Sequence, residues 1–181
     1  MNHPLLTPVL ALPVLGARLR PWHPTDAAAL VAYANDQRIA ENLRDTFPHP
    51  YTLPDAEFYL ALMADQPRDL HLALEIDGAA VGSVGVHFKT DVRRRSAEIG
   101  YWLGRAYWGQ GVAMAAVQGV SAYVFAHFDV CRLYAVVFER NLASARVLEK
   151  AGYALEGVLR QSVVKNGRML DSRLYAKIKD E

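Results

Sequence analysis

Trp108-Gly109-Gln110-Gly111-Val112-Ala113 is the stretch of this 181-residue chain whose residue types could do chemistry by their spacing alone. Two of its side chains are absent and another is only a methyl, so backbone there can approach a ligand closely. It follows the β-favouring run Glu98-Ile99-Gly100-Tyr101-Trp102-Leu103 and leads into a long apolar segment opening at Val112-Ala113-Met114. A strand feeding such a turn and then a helix presents the unpaired N–H groups of the first helical turn, which attract an anion. The chemistry implied is capture of a phosphate or pyrophosphate, although an ordinary tight turn would use the same two glycines. A second run, Asn141 to Gly157, holds Asn141 as an N-cap and Gly152 as a C-terminal stop. Ser144, Val147, Leu148 and Ala151 share one face of that helix, the face expected to be buried, and Ser144 could serve simply as a first-turn cap.

These residues need a scaffold, and the rest of the chain supplies one. Ala17 to Trp22 begins as a short alternating strand and stops at Pro21. Thr25 is the expected N-cap of a helix with Ala28, Leu30, Val31 and Ala34 on its apolar face. Asn42 to Tyr51 is a loop enforced by Pro48 and Pro50. Thr52 to Met63 reads as a second helix, with Pro54 near its first turn and Phe58 and Leu62 on one side. Leu72–Ile76 and Ala80–Phe88 are strands joined through Asp77-Gly78. Arg93-Arg94-Arg95 is a solvated basic link to the Glu98 strand. After the long helix come a strand at Arg132–Phe138, the Asn141–Lys150 helix, and strands at Ala154–Arg160 and Met169–Ile178 joined through Lys165-Asn166-Gly167. No repeat or linker interrupts this order. It is expected to be one mixed α/β domain over residues 1–181, with residues 1–15 an extended N-terminal segment.

Composition narrows the function classes. Lys+Arg 20 against Asp+Glu 19 leaves no strong field for nucleic acid or an anionic membrane, so neither is an expected partner. The single Cys131 excludes an internal disulfide and fits a reducing cytoplasm, the expected location. Met1 to Leu15 lacks a basic n-region and carries three prolines, which argues against a signal peptide. Ala106 to Phe128 contains no Asp, Glu, Lys or Arg, but three glycines, two glutamines and a serine point to a helix buried in protein rather than a membrane span. The six histidines show no spacing such as His-x-x-x-His, so no metal is expected; His87, between Val86 and Phe88, should pack or face solvent.

Three motifs in one order resemble the GNAT N-acetyltransferase superfamily, and within it the RimJ/RimL-type branch that acetylates ribosomal-protein N-termini. The acyl-CoA motif Gln/Arg-x-x-Gly-x-Gly/Ala falls on Trp108 to Ala113, with Trp108 replacing Gln or Arg. The branch signature Asn-x-x-Ser-x-x-Val-Leu-Glu-Lys-x-Gly-Phe-x-x-Glu-Gly falls on Asn141 to Gly157, with Tyr153 standing for Phe. Glu98 to Leu103 also matches, and the resemblance spans Leu19 to Lys177. It implies a GNAT fold: a central, mostly antiparallel sheet splayed between the fourth and fifth strands, those at Glu98 and Tyr134, with helices on both faces. Acetyl-CoA would lie in that cleft, its pantetheine against Tyr101, Trp102 and Leu103 and its phosphates over the run Trp108, Gly109, Gln110, Gly111, Val112, Ala113 and Met114. Asn141 would hold the cofactor near its pantetheine end.

The reaction the family carries out is direct acetyl transfer to an amine, which needs a neutral amine and a proton for the departing thiolate. The resemblance implies Glu98 as base, directly or through a water. It implies Ser144 as the acid that also touches the cofactor, since Leu148 occupies the position where many relatives carry a tyrosine. Where the branch carries a glutamate two residues after a glutamine in the last hairpin, Val163 stands two after Gln161, which leaves the base role to Glu98 or a water chain. The loop with Asn42, Phe47 and Tyr51 and the final hairpin would wall the acceptor cleft, for a protein or peptide N-terminus or a small-molecule amine. The family also admits a homodimer through the last strands or the long helix. A non-catalytic acyl-CoA-binding module of the same fold is the alternative.

Overall fold

The computed structural model describes residues 8–64 and 68–179, so Met1 to Thr7 of the expected N-terminal segment lie outside the described residues. Eight strands form one sheet: β1 (Leu10–Ala11), β2 (Arg18–Pro21), β3 (Leu70–Ile76), β4 (Ala79–Phe88), β5 (Ser96–Leu103), β6 (Arg132–Phe138), β7 (Ala154–Lys165) and β8 (Arg168–Ile178). Their spatial order is β1-β2-β3-β4-β5-β6-β8-β7. Every neighbouring pair is antiparallel except β5–β6. The helices are α1 (Ala27–Ala34), α2 (Gln37–Ala40), α3 (Leu53–Ala64), α4 (Val112–His127) and α5 (Leu142–Lys150).

Alternation along β5 shows how the sheet is covered. Ala97, Ile99 and Leu103 point into the larger core with Val117, Val120 and Val124 of α4 and Leu148 of α5. Trp102, between them, packs with the second cluster of Leu30, Ala34, Tyr51, Ala56 and Leu60 from α1, α3 and the loop between. Successive side chains of a strand point to opposite faces, so helices cover both sides, as expected. One side of α4 is buried in protein, with Val117, Val120 and Val124 in it, while Gln118, Ala122 and Ala126 are exposed; Ser121 donates to the Val117 carbonyl at 2.6 Å while meeting the Tyr153 hydroxyl. Among the described residues no helix is long and apolar enough to cross a membrane.

Several local expectations change. Thr25 does not cap α1: Pro24–Asp26 forms a short 3-10 turn, and Asp26 precedes the helix. Its carboxylate accepts the His23 N–H at 2.8 Å and pairs with Arg20 through both oxygens. A carboxylate beside a guanidinium is the better anchor than a neutral hydroxyl. Ala27, not Ala28, joins Leu30, Val31 and Ala34 on the buried face. On α3 the buried pair is Ala56 and Leu60, while Phe58 is 71% exposed. The small Ala56 lies in the cluster with α1, so the two larger residues, Phe58 and Leu62, face outward. The structure adds β1 and α2, and β7 runs on to Lys165 through an irregularity between Leu159 and Val163, with Gln161 at φ 50.

Candidate active site

The parallel β5–β6 ladder is short. Ser96 pairs with Arg132, Ala97 with Leu133 and Glu98 with Tyr134, and there it stops. Beyond that point β5 continues against β4 as far as Leu103–Gly82, and β6 continues against β8 as far as Phe138–Ser172. Two strands hydrogen-bonded only on their outer sides leave a slot between Ile99–Leu103 and Ala135–Phe138. Backbone groups on an unpaired strand edge are free to bond an extended ligand as a further strand would.

The slot ends at the glycine turn. Gly104 donates to the Val81 carbonyl at 2.7 Å, Arg105–Tyr107 forms a 3-10 turn, and Gly109 and Gly111 take φ of 75° and 80°. Side chains rarely adopt that backbone, so the glycines set the curve, and a Cβ at either would meet nothing within 4 Å. The first hydrogen bond of α4 runs from Ala115 N–H to the Gly111 carbonyl at 3.0 Å. The N–H groups of Val112, Ala113 and Met114 therefore have no acceptor within the helix. Val112 buries its side chain and offers only backbone. The Trp108 indole N–H is bound to the Leu103 carbonyl at 2.7 Å, and the Gln110 amide to the Ala106 carbonyl at 2.8 Å. Both side chains brace the turn, and Trp108 ties it to the end of β5. Open space, left-handed glycines and unpaired N–H groups fit a pyrophosphate.

Across the slot, α5 begins with the Asn141 side chain accepting the Ser144 N–H at 3.1 Å, the cap read from the sequence. The Ser144 hydroxyl lies 2.8 Å from the Tyr101 hydroxyl, which also donates to the Ser144 carbonyl at 3.1 Å. Burial pushes the Tyr101 phenol well above the ordinary tyrosine range, and the Ser144 hydrogen bond offsets only part of that rise.

Glu98 stands at the fork. One oxygen takes Lys89 at 2.9 Å and the other takes Arg44 at 3.0 Å, with the Tyr134 hydroxyl 3.5 Å away. Burial alone would raise its pKa, but Lys89, then Arg44 and His87, bring it below the ordinary glutamate value. The carboxylate is ionised at neutral pH, with each oxygen paired to a cation. His87, opposite Glu98 in the β4–β5 register, bonds Asp69 through Nδ1 at 2.7 Å, and the His71 ring stands 5.2 Å from it. Burial, with the neighbouring His87, holds His71 down to about 4. Donor atoms of Asp69, His71 and His87 fall within 4.8 Å of one another, a grouping invisible to helical ligand spacing because it is built on adjacent strands. Both Asp69 oxygens are already engaged, one by His87 and the other by the Phe88 N–H at 3.1 Å.

The α2–α3 loop and the β7–β8 hairpin do come together. Lys165 of the hairpin, with a side chain only 6% exposed, reaches Asp45 of the loop at 2.7 Å, and Arg140, between β6 and α5, donates to the Glu41 carbonyl. Between loop and hairpin is a hollow of about 360 Å³ lined by Gln37, Ala40, Glu41, Asp45, Phe47, Pro48, His49, Lys165 and Asn166. Of the three acceptor residues expected, Phe47 lines it. Asn42 turns its amide back to the Arg38 carbonyl at 2.9 Å. Tyr51, 4% exposed, is a core residue that supports Phe47 from behind, with ring centroids 5.0 Å apart. Lys165, Arg44 and the Tyr101 hydroxyl are absent from the sequence reading of the site. Their partners lie 120, 54 and 43 residues away, so no local pattern announces them.

Residues 17–154 match the acetyltransferase (GNAT) domain family. The chain is 39% identical over 99 residues to YoaA of Bacillus subtilis (strain 168), named an uncharacterized N-acetyltransferase, and that match spans 55% of each protein. It is 28% identical over 169 residues to the N-acetyltransferase p20 of Bacillus licheniformis, also named uncharacterized, covering 90% of this chain and 93% of the relative. Among solved structures, Mycobacterium smegmatis RimJ in complex with CoA-disulfide superposes with a TM-score of 0.81 at 28% identity, over 97% of this chain and 90% of that one.

Proposed function

The chain belongs to the GNAT acetyltransferase family, and we propose that it transfers acetyl from acetyl-CoA directly to a primary amine, most readily the N-terminus of a protein or peptide. The observation that carries this reading is the parting of β5 and β6 after Glu98–Tyr134, beside a turn made left-handed by Gly109 and Gly111. The pantetheine arm lies against the free edge at Tyr101, Trp102 and Leu103, and the pyrophosphate over Gly109 to Met114. Asn141, already capping α5, borders the slot. Ionised Glu98 takes the proton from the incoming ammonium, directly or through a water. Ser144, on the opposite wall, gives a proton to the departing sulfur.

A peptide N-terminus is favoured over a polyamine by the charge of the hollow. Lys165 neutralises Asp45, which leaves the Glu41 carboxylate as the unneutralised acid on a wall otherwise built from amides, a histidine and apolar surface. The similarity to RimJ supports the same choice. A small-molecule amine is the second acceptor class. The test is release of free CoA from acetyl-CoA against N-terminal peptides, free amino acids, polyamines and aminoglycosides. Turnover with peptides is the expected result. Tight acetyl-CoA binding with no turnover on any amine would favour the non-catalytic module instead, a reading that the valine at position 163 alone supports.

A further inference from the structure

We propose that the Tyr101 hydroxyl is the second half of the acid: it holds the Ser144 hydroxyl in place and replaces the proton that Ser144 gives to the leaving sulfur. The inference rests on the acetyltransferase reading above and assigns to the phenol a role separate from the backbone contact of the same residue.

The two hydroxyls stand on opposite walls of the slot, Tyr101 on β5 and Ser144 in the first turn of α5, where the strands have already parted. Their oxygens are 2.8 Å apart, and the Tyr101 oxygen also lies 3.1 Å from the Ser144 carbonyl. That geometry allows two hydrogen-bond states. In one, the phenol donates to the Ser144 carbonyl, and the serine O–H is taken up by the phenol oxygen. In the other, the phenol donates to the serine oxygen, which frees the serine O–H to donate elsewhere. Only the second state leaves a proton aimed into the slot.

A serine hydroxyl alone is a poor acid, because the alkoxide it would leave is more basic than the thiolate it protonates. A donor behind it improves the balance: charge moves on to a phenolate, a weaker base than the alkoxide even where burial raises the phenol. The step then closes as follows. The amine nitrogen attacks the thioester carbon, the C–S bond breaks, and its electron pair leaves on sulfur. Sulfur takes the Ser144 proton, Ser144 takes the Tyr101 proton, and the proton that the nitrogen loses as the amide forms passes through water to the phenolate, which restores the pair. No oxidant or reductant enters. The other ionisable group facing Tyr101 is Tyr153, whose hydroxyl is already bonded to Ser121 at 2.8 Å.

Tyr101→Phe keeps the ring and removes the one oxygen. The expected result is a ten- to hundredfold lower kcat, an acetyl-CoA KM within twofold of the parent, and a smaller solvent deuterium isotope effect on kcat. Ser144→Ala should cost a similar factor, and the double variant no more than Ser144→Ala alone, because the two groups act as a unit. An unchanged kcat in Tyr101→Phe, or losses that multiply in the double variant, overturns the relay while leaving the acetyltransferase reading intact. Failure of the parent protein to release CoA with any amine overturns that reading, and the relay with it. Should Tyr101→Phe not fold, 3-fluorotyrosine at position 101 serves instead: it keeps the hydroxyl but makes it a stronger acid. Its pH–rate profile then moves to lower pH if the phenol proton is in flight, and an unmoved profile counts against the proposal.

Discussion

At the scale of single residues, the chemistry depends on charges that neighbours have already set. Glu98 is the proposed base, and its pKa lies below the ordinary glutamate value because Lys89, Arg44 and His87 outweigh burial. It is therefore ionised well below neutrality, and Glu98→Gln is expected to lower kcat by about ten- to a hundredfold. That loss should be uniform between pH 6 and 8, since protonation of the carboxylate falls below the window, while the acetyl-CoA Kd stays within about twofold. Initial rates across pH test this, and parental rates in the variant would remove Glu98 from the chemistry. Lys89→Met takes away the largest opposing influence, so the Glu98 pKa should rise. An acid limb of the rate profile should then move up in pH, which the same rate series reads. Glu98 and Ser144 are legible in the sequence because each sits inside a local motif. Arg44, Lys165 and the Tyr101 phenol are not, because what gives them meaning is a partner on another element.

At the scale of elements, the glycine turn and β2 carry separable burdens. Gly111 sits at φ 80° with open space where a side chain would grow. Gly111→Val should therefore cost about 1–2 kcal/mol in backbone strain while its side chain fills the approach to the helix N–H groups. Calorimetric titration with CoA is expected to show affinity at least about a hundredfold weaker; normal affinity in a folded variant would refute the anion-turn assignment. On β2, Arg20 joins Asp26 and Glu75 in a nearly buried triad, with Arg18 also on Glu75. Removing Arg20 strands the Asp26 carboxylate and leaves Glu75 to Arg18 alone, and Arg20→Met should lose about 3 kcal/mol in urea denaturation. Burial raises the pKa of Asp26 and Glu75, but the arginines lower both below their ordinary values overall. A depressed native pKa gives stability that is present above the unfolded value and lost as pH falls through the native one. Melting temperature should accordingly drop below about pH 4, and less so in Arg20→Met. Strand identities were readable from alternation and from Asp77-Gly78 and Asn166-Gly167, which are local signals. The buried side of α3 was not, because Ala56 and Leu60 are selected by what α1 leaves room for and not by which residues are most apolar.

At the scale of the whole molecule, one topological event organises function: the parallel β5–β6 ladder, the only one among the described residues, opens after three residue pairs. The antiparallel strands on either side hold each wall of the slot rigid, and α4 and α5 deliver the anion turn and Ser144 to its two sides. The hairpin latched through Lys165 and Asp45 closes a hollow beside it. The family motifs made the splay expected, whereas the latch and the bonded pair of hydroxyls became visible only when distant strands met. Direct transfer in such a slot needs both substrates present together and leaves no acetyl group on the protein. The most direct measurement is therefore the mass of the protein and the yield of free CoA, first with acetyl-CoA alone and then after adding an N-terminal peptide. The expected result is an unmodified protein and no CoA until the peptide arrives, then CoA and acetylated peptide in equal amounts. An acetylated protein formed before the peptide, or no CoA released after it, would contradict direct transfer.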